Sequence, residues 1–128
     1  SIMRSYLNFE NFDNSPKFSK FRYDRIIEKT KKSSVVILIC MQRDPLESIP
    51  EWEEIASVSM SVQNMWLMCT KLNIGSYWSS PKIIDSIDEF TALNKGEKCL
   101  GLFYMGNYDM EINTRIPGPI EDKVIWLD

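Results

Sequence analysis

The chain has 128 residues, a mass of 15.0 kDa and a net charge of −3, which is the size of one domain and too short for two. Hydrophobic residues make up 44% of it while Gly (5) and Pro (6) are scarce, and this balance excludes disordered and fibrous proteins. Histidine is absent, which excludes Ser-His-Asp and Cys-His nucleophilic sites and His-ligated zinc, so chemistry must use carboxylates, Lys, Tyr, Cys or a bound cofactor.

Three cysteines, Cys40, Cys69 and Cys99, each lie inside an apolar run. Their odd number and apolar surroundings favour buried free thiols in a reducing cytoplasm over a disulfide framework. The sequence has no apolar stretch of the roughly 18–20 residues that span a membrane, and its first residues lack the apolar core of a secretory signal. We therefore expect a cytoplasmic protein without a membrane partner.

The basic residues are concentrated at the front of the chain. Residues 1–32 carry eight basic and four acidic side chains, whereas the remainder carries seven basic and fourteen acidic ones. Several of the basic residues have acidic neighbours at helical spacing, which favours a solvated helix face over a nucleic-acid-binding surface. We therefore expect no nucleic-acid partner.

The first elements in chain order are a poorly defined lead-in, a helix and a buried strand. Residues 1–16 have no clear period and end in a turn signal. Residues 17–32 place apolar side chains among charges at helical spacing, which predicts an amphipathic helix. Residues 34–41 form a continuous apolar, β-branched run, which predicts a strand buried on both faces.

Ser48-Ile49-Pro50-Glu51 predicts the start of a long helix that runs to about Leu72. Ser48 is expected to cap the first amides, Glu51 to reach back to the Ser48 amide, and Pro50 to lie in the first turn. Apolar residues lie on two sides of this helix with small serines between them, which indicates burial on most sides. Part of the helix is therefore expected to pack against another subunit.

The second half predicts a loop, a short helix, a second buried strand and a terminal strand or arm. Residues 75–81 set two large aromatics among small hydroxylated residues between Gly and Pro, which is typical of a loop. Residues 82–93 have the spacing of an amphipathic helix, residues 98–106 form the strand, and residues 124–127 the short strand or arm. This order is typical of an α+β fold, but two good strands are too few for a stable sheet, so further strands must come from elsewhere.

The candidate functional residues lie in the 75–81 segment and in the polar segment after the second strand. The backbone of residues 75–81 can approach a planar ligand that Tyr77 and Trp78 line, or the two aromatics can plug the core. Arg115 can bind a phosphate, although a solvated loop arginine is the commoner role. Composition leaves these alternatives open.

Several segments resemble the FMN-dependent nitroreductase family. The similarity is carried by residues 54–67 (EIASVSMSVQNMWL), 75–81 (GSYWSSP) and 97–106 (EKCLGLFYMG). Residues 33–45 and the Gly-Pro-Ile-Glu-Asp-Lys-Val segment at 118–124 extend the similarity in the same order along the chain.

The resemblance implies an α+β, nitroreductase-like fold in which helices flank a mixed central sheet and a long helix lies at the interface of a homodimer. It implies one FMN in each of two interface sites and a C-terminal arm that reaches the partner. The implied activity is oxidation of NAD(P)H and reduction of a nitroaromatic or quinone-like small molecule through the flavin, which carries the chemistry in place of a catalytic side chain.

One segment and one arginine match the cofactor-binding positions of the family. The segment shapes the flavin site, and its residues are Gly75, Ser76, Tyr77, Trp78, Ser79 and Ser80. The backbone of its last three residues matches the part that faces the flavin ring. Arg115 matches the C-terminal arginine that contacts the FMN phosphate.

The family's N-terminal Arg-Arg-Ser segment, which grips the phosphate, is not found in these 128 residues. We therefore expect a single domain, 1–128, that corresponds to the C-terminal part of a nitroreductase, with residues 1–16 as a lead-in. An alternative is a truncated, flavin-free dimeric remnant that acts as a structural or interaction module, because each lost phosphate contact weakens FMN binding. An unrelated small-ligand-binding domain is the third hypothesis.

Overall fold

The computed structural model describes residues 20–89, 91–109 and 116–127. Two α-helices and three strands follow one another as α1 (Lys20–Lys32), β1 (Val35–Gln42), α2 (Glu51–Lys71), β2 (Gly75–Ser79) and β3 (Glu97–Gly106), with 3₁₀ helices at Lys82–Glu89 and Glu121–Lys123. The α+β class is confirmed. The predicted lead-in of residues 1–16 and the candidate residue Arg115 lie outside the described residues.

The three described strands form one antiparallel sheet in the order β1-β3-β2. Strand β2 differs from the prediction. Residues 75–79 were expected to form a loop, and instead they pair with β3 from Gly75↔Gly106 to Ser79↔Leu102. The aromatic residues of this segment favour a β-strand. The strand with which it pairs is distant in sequence, so the local sequence pattern alone does not predict the pairing. The mixed pairing that the family resemblance implies is not seen among the described strands.

The β1–β3 pair contains one irregularity. Its register runs without a break from Val35↔Met105 to Ile39↔Gly101 and then shifts, so that Cys40 faces Cys99. Leu100 is therefore the extra residue of a β-bulge on β3, where the strand bends and its twist increases.

The sheet is covered by one helix on each face. On one side, α2 packs over a core of Ile39, Val62, Cys69 and Phe103, the last of which has no exposed surface. On the other side, α1 lies over a smaller cluster centred on Tyr104, to which Val36 and Leu102 contribute. Burial on both faces, which was predicted for β1 and β3, is therefore confirmed for β3, whereas β1 is only partly buried, with Val35 50% exposed.

The start of α2 differs from its prediction. Pro50 is the residue that precedes the first helical turn, and no side chain caps the helix there. Ser48, the expected cap, instead donates hydrogen bonds from its backbone N–H and its Oγ to the Asp44 carboxylate. These bonds hold the pKa of Asp44 below its usual value. The cap prediction was wrong because an acceptor four residues earlier competes for the same serine.

Glu54 and Glu51 both connect the start of α2 to the rest of the fold, and Glu54 makes the more buried contacts. The Glu54 carboxylate accepts a hydrogen bond from the Asp44 backbone N–H at 2.7 Å and another from Arg43 Nη1. Arg43 Nη1 also donates a hydrogen bond to the Ile49 carbonyl oxygen. The Glu54 side chain is 11% exposed. Glu51 extends to Lys98 on β3, with Oε1 and Nζ 2.9 Å apart. Two carboxylates in the first turn thus anchor α2 to the end of β1 and to β3.

The end of α2 is as the sequence predicts. Lys71 is the last helical residue, Asn73 adopts a left-handed conformation with φ 55°, and the Ile74 N–H bonds the Cys69 carbonyl at 2.8 Å. Asparagine tolerates this conformation, so it stops the helix and turns the chain directly into β2.

The remaining segments are shorter than expected. The predicted helix 82–93 is a 3₁₀ helix over Lys82–Glu89 with a kink at Ser86, and it buries Ile83 and Ile87. Residues 124–127 form no strand; their three apolar side chains after Val124 are almost fully exposed. Among the described helices, none has the length and apolar character needed to cross a membrane.

We expect Glu54→Ala to destabilise the fold, because it leaves the partly buried Arg43 guanidinium and the Asp44 N–H without their acceptor. The melting temperature should fall by roughly 5 °C or more, measured by circular dichroism. Glu53→Ala is the matched control, since Glu53 is exposed in the same helical turn and should leave the melting temperature nearly unchanged. Equal melting temperatures for the two variants would contradict this role.

Candidate functional site

Strand β2 presents its side chains to two different environments. Because side chains alternate along a strand, Ser76 and Trp78 point to the α2 face while Tyr77 and Ser79 point to the α1 face. Trp78 packs against the core beneath α2. Tyr77 stacks on Tyr104, with ring centroids 5.0 Å apart and planes 13° from parallel. Of the two interpretations left open by the sequence, the core plug therefore describes Trp78, whereas Tyr77 lies on the opposite face.

Gly101 makes room for Trp78. A Cβ atom at residue 101 would lie 2.1 Å from Trp78 Nε1 and 2.8 Å from the Ser79 carbonyl oxygen, so the indole and the β2 backbone approach β3 more closely than any side chain permits. The residue has φ 154°, next to the bulge at Leu100. The close contact fixes the position of the β2 segment that the family resemblance assigns to the flavin ring.

Three other predicted residues lie at the two ends of β2. Gly75 faces the Tyr108 ring, since a Cβ there would lie 2.8 Å from Tyr108 Cδ1. The Ser76 Oγ is buried and finds no hydrogen-bond partner among the described residues, as is also true of Trp78 Nε1. Ser80 follows the strand and is exposed.

A cavity of about 320 Å³ lies between α1 and the end of β2. Its lining consists of three cationic side chains, three apolar or aromatic ones and one predicted site residue: Arg25, Lys29, Lys82, Ile26, Pro81, Tyr104 and Ser79. A second cavity of about 310 Å³ adjoins it, shares Lys29 and Tyr104, and reaches Gly75, Ser76 and Tyr77. Strand β2 therefore brings four of the seven predicted residues to these two cavities, namely Gly75, Ser76, Tyr77 and Ser79.

The first cavity is positively charged. Arg25, Lys29 and Lys82 contribute three cations, and no described acidic side chain lines it. Lys29 Nζ lies 5.3 Å from the centre of the Tyr77 ring, which holds the ammonium group at the boundary between the two cavities. In a chain of net charge −3, a concave cationic surface of this kind concentrates anions.

The two stacked tyrosines keep their protons at neutral pH. Burial raises the pKa of Tyr104 to about 12, and the neighbouring Tyr77 adds to this effect. Burial also raises the pKa of Tyr77, while Arg25 acts in the opposite direction. Both phenols are therefore available as hydrogen-bond donors and neither can act as a base near pH 7.

Strand β2 also offers backbone groups. It is an edge strand of the described sheet, so one side of its backbone lacks a partner strand among the described residues. Such an edge presents alternating N–H and C=O groups, which can recognise the polar rim of a planar ligand.

Sequence reasoning missed the contribution of α1. The basic residues at the front of the chain were assigned as a group to a solvated helix face, and that interpretation fits Lys32, whose Nζ pairs with Glu28 at 2.6 Å. The available signal was the spacing of four residues, which places Arg25 and Lys29 on one face of α1 together with the buried Ile26.

The chain is similar to known proteins of one family. The model of the nitroreductase family matches residues 12–107. Among solved structures, the nitroreductase-like family protein from Bacillus cereus superposes with a TM-score of 0.68 at 20% sequence identity, covering 86% of this chain and 62% of that chain. The chain thus spans less than two thirds of the length of that structure. At 20% sequence identity, the structural similarity establishes a shared fold and nothing about function. No curated protein matches the sequence.

We expect Gly101→Ala to destabilise the protein by about 1–3 kcal/mol and to displace Trp78, because the added methyl group overlaps the indole. Chemical denaturation measures the first effect, and tryptophan fluorescence the second. Gly118→Ala is the control, since nothing lies within 4 Å of a Cβ at that position. Unchanged stability in Gly101→Ala would show that the Trp78 contact is not as close as described.

Proposed function

The chain belongs to the nitroreductase family, and we propose that it is an FMN-dependent oxidoreductase that takes electrons from NAD(P)H and delivers them to a nitroaromatic or quinone-like acceptor. The observation that carries the proposal is the cavity beside β2, where Ser79 meets three cations and an aromatic side chain. Its volume of about 320 Å³ is at the lower end of the range for cofactor sites, which suits a site that a second surface completes.

The cavity has the chemistry that FMN requires, since FMN combines a planar aromatic ring with a phosphate group. Pro81, together with the small exposed parts of Ile26 and Tyr104, provides apolar lining for the ring. Arg25, Lys29 and Lys82 provide positive charge for an anionic group. We assign the flavin to this cavity on these two complementarities.

We propose that the β2 segment holds the flavin ring mainly through its backbone. The free edge of β2 supports this assignment, because Trp78, Ser79 and Ser80 can then bind through N–H and C=O groups while the Trp78 side chain stays in the core. Gly75, Ser76 and Tyr77 would shape the strand. Arg115 is assigned to the phosphate on the family resemblance.

Bound FMN would supply the two-electron transfer between NAD(P)H and the acceptor, and the residues of this chain would supply orientation and electrostatics. Lys29 and Arg25 would place positive charge beside a flavin bound in this cavity, where it would stabilise negative charge. Tyr77 and Tyr104 keep their protons on the phenolic oxygens near pH 7, so they can donate hydrogen bonds but cannot act as bases. A chain without histidine is compatible with this division of work.

We further propose that the protein is a homodimer built on α2. Four large apolar side chains of this helix, Trp52, Met60, Leu67 and Met68, are more than half exposed, as is Leu72 directly after its end. Ile125, Trp126 and Leu127 form a second exposed apolar group near the end of the chain. Exposed apolar surface of this extent in a helix is typical of a protein interface.

The cytoplasm is the compartment that we propose, because all three cysteines are free thiols. Buried free thiols persist in a reducing environment, where NAD(P)H-dependent reduction also takes place.

The direct test is flavin binding and turnover by the purified 128-residue chain. We expect FMN titration to give a bound flavin with absorbance at about 450 nm, and, in the absence of oxygen, continuous oxidation of NADPH or NADH only when a nitroaromatic or quinone is also present to reoxidise the flavin. A chain that binds no FMN and oxidises no NAD(P)H would refute the proposal and favour the flavin-free interaction module.

Lys29→Met tests whether the cavity beside β2 is the flavin site. Loss of a charge-assisted contact should weaken FMN binding roughly 10- to 100-fold, measured by fluorescence quenching of the flavin. Lys31→Met removes the same charge from an exposed position on α1 that lines neither cavity, and it should leave FMN affinity unchanged. Equal effects of the two substitutions would place the flavin elsewhere.

The dimer is tested by sedimentation at micromolar concentration. We expect a species of twice 15.0 kDa, and we expect Leu67→Glu to convert it into a monomer because a carboxylate would be buried in the interface. Lys31→Glu also adds negative charge to an exposed helix and should remain dimeric. A wild-type monomer under these conditions would contradict the interface assigned to α2.

A further inference from the structure

Two of the three cysteines lie opposite each other in the sheet. Cys40 on β1 and Cys99 on β3 are register partners in the antiparallel pair, and both are free thiols. Opposed residues of such a pair point to the same face of the sheet with Cβ atoms about 4.5–5.5 Å apart. The thiols are close enough for each to alter the pKa of the other.

The β-bulge makes this part of the sheet adaptable. The register shift separates Cys40↔Cys99 from the regular pairs that begin at Ile39↔Gly101, and Leu100 has no partner on β1. The Cys99 Sγ lies 3.8 Å from the Gly101 carbonyl oxygen, across the bulge. A bent strand with an unpaired residue can shift by the distance of about 1 Å that separates opposed cysteines from disulfide geometry.

We propose that Cys40 and Cys99 form a reversible cross-strand disulfide, which makes the pair a site of redox modification by small disulfides such as oxidised glutathione. The bond is expected to be reversible because a disulfide needs Cβ atoms about 3.5–4.5 Å apart, less than the usual separation of opposed residues. The resulting strain favours reduction. This proposal is independent of flavin binding.

The reaction proceeds by two exchanges. Cys40 is half-buried and Cys99 is only 7% exposed, so Cys40 is the thiol that reacts first. Its thiolate attacks one sulfur of oxidised glutathione, forms a mixed disulfide and releases one glutathione thiolate. The Cys99 thiolate then attacks the Cys40 sulfur and releases the second glutathione. Two protein thiols are oxidised, one glutathione disulfide is reduced to two thiols, and their protons pass through solvent.

The surroundings of the pair make the reaction slow at neutral pH. Burial is the main factor that raises the pKa of Cys40 to about 12, and the Cys99 thiol and the Glu97 carboxylate add to it. Burial also raises the pKa of Cys99. Because only the thiolate reacts, the rate should rise about tenfold for each unit of pH while the pH stays well below these values.

Cys69 provides an internal reference. It is buried on α2 in the core beneath the opposite face of the sheet, and it pairs with neither of the other cysteines. The proposal therefore predicts a specific outcome among three thiols: two are consumed together and one remains.

The test incubates the reduced chain with glutathione buffers rich in the oxidised form, at several values of pH, and then blocks remaining thiols under denaturing conditions. Intact mass spectrometry should show a chain two hydrogen atoms lighter with one blocked thiol, and peptide mapping should link Cys40 to Cys99. Excess reduced glutathione should restore three thiols. The oxidised chain should also have a higher melting temperature, because the bond joins strands 59 residues apart in sequence.

Variants separate the pair from its surroundings. Cys69→Ser should still form the bond, whereas Cys40→Ser and Cys99→Ser should form none within the chain. Persistence of all three thiols, a stable glutathione adduct on Cys40, or linkage through Cys69 would each overturn the proposal. Because the mapping uses the wild-type chain, the result stands even where a serine variant fails to fold.

Discussion

The fold depends on β3, the central strand of the described sheet. It hydrogen-bonds β1 on one side and β2 on the other, while its side chains supply Phe103 to the core under α2 and Tyr104 to the cluster under α1. Residues 102–104 are almost completely buried, and such burial on both faces is normally seen in strands covered by helices on each side. Both helices and the candidate site are therefore positioned relative to this one strand.

The candidate site follows from the alternation of side chains along β2. One residue, Trp78, locks the strand to the core by lying over Gly101, and its neighbours Tyr77 and Ser79 are consequently held on the α1 side. This five-residue strand thus serves two purposes, since Tyr77 and Ser79 line the cavities while Trp78 fixes the position of the strand. The closeness of the Trp78–Gly101 contact gives the site a rigid support, which is what a cofactor-binding backbone needs.

The sequence predicts those parts of the structure whose cause is local. The apolar, β-branched run of β1 and the long periodic segment of α2 were both predicted, with ends within about two residues of those observed. Strand β2 was not, because it is short and its partner lies more than twenty residues away. The Ser48 cap failed because Asp44, an acceptor in the preceding loop, binds that serine. Of the site, the β2 residues were predicted and the cations of α1 were missed, since a lysine facing a cavity has the same spacing as one facing solvent.

Two features of the surface lead to the same physical conclusion. Helix α2 buries Val62 and Cys69 under one side but leaves apolar side chains such as Met60 and Leu67 in water on others, at a cost in free energy that burial would remove. The cavity beside β2 is small for a cofactor and open, although its charge and aromatic lining suit one. A further protein surface packed against this domain would bury the exposed apolar side chains of α2 and close the open side of the cavity. Such an arrangement occurs in cofactor sites that are shared between subunits. Because α2 and the cavity lie on opposite faces of the sheet, these would be two separate contacts.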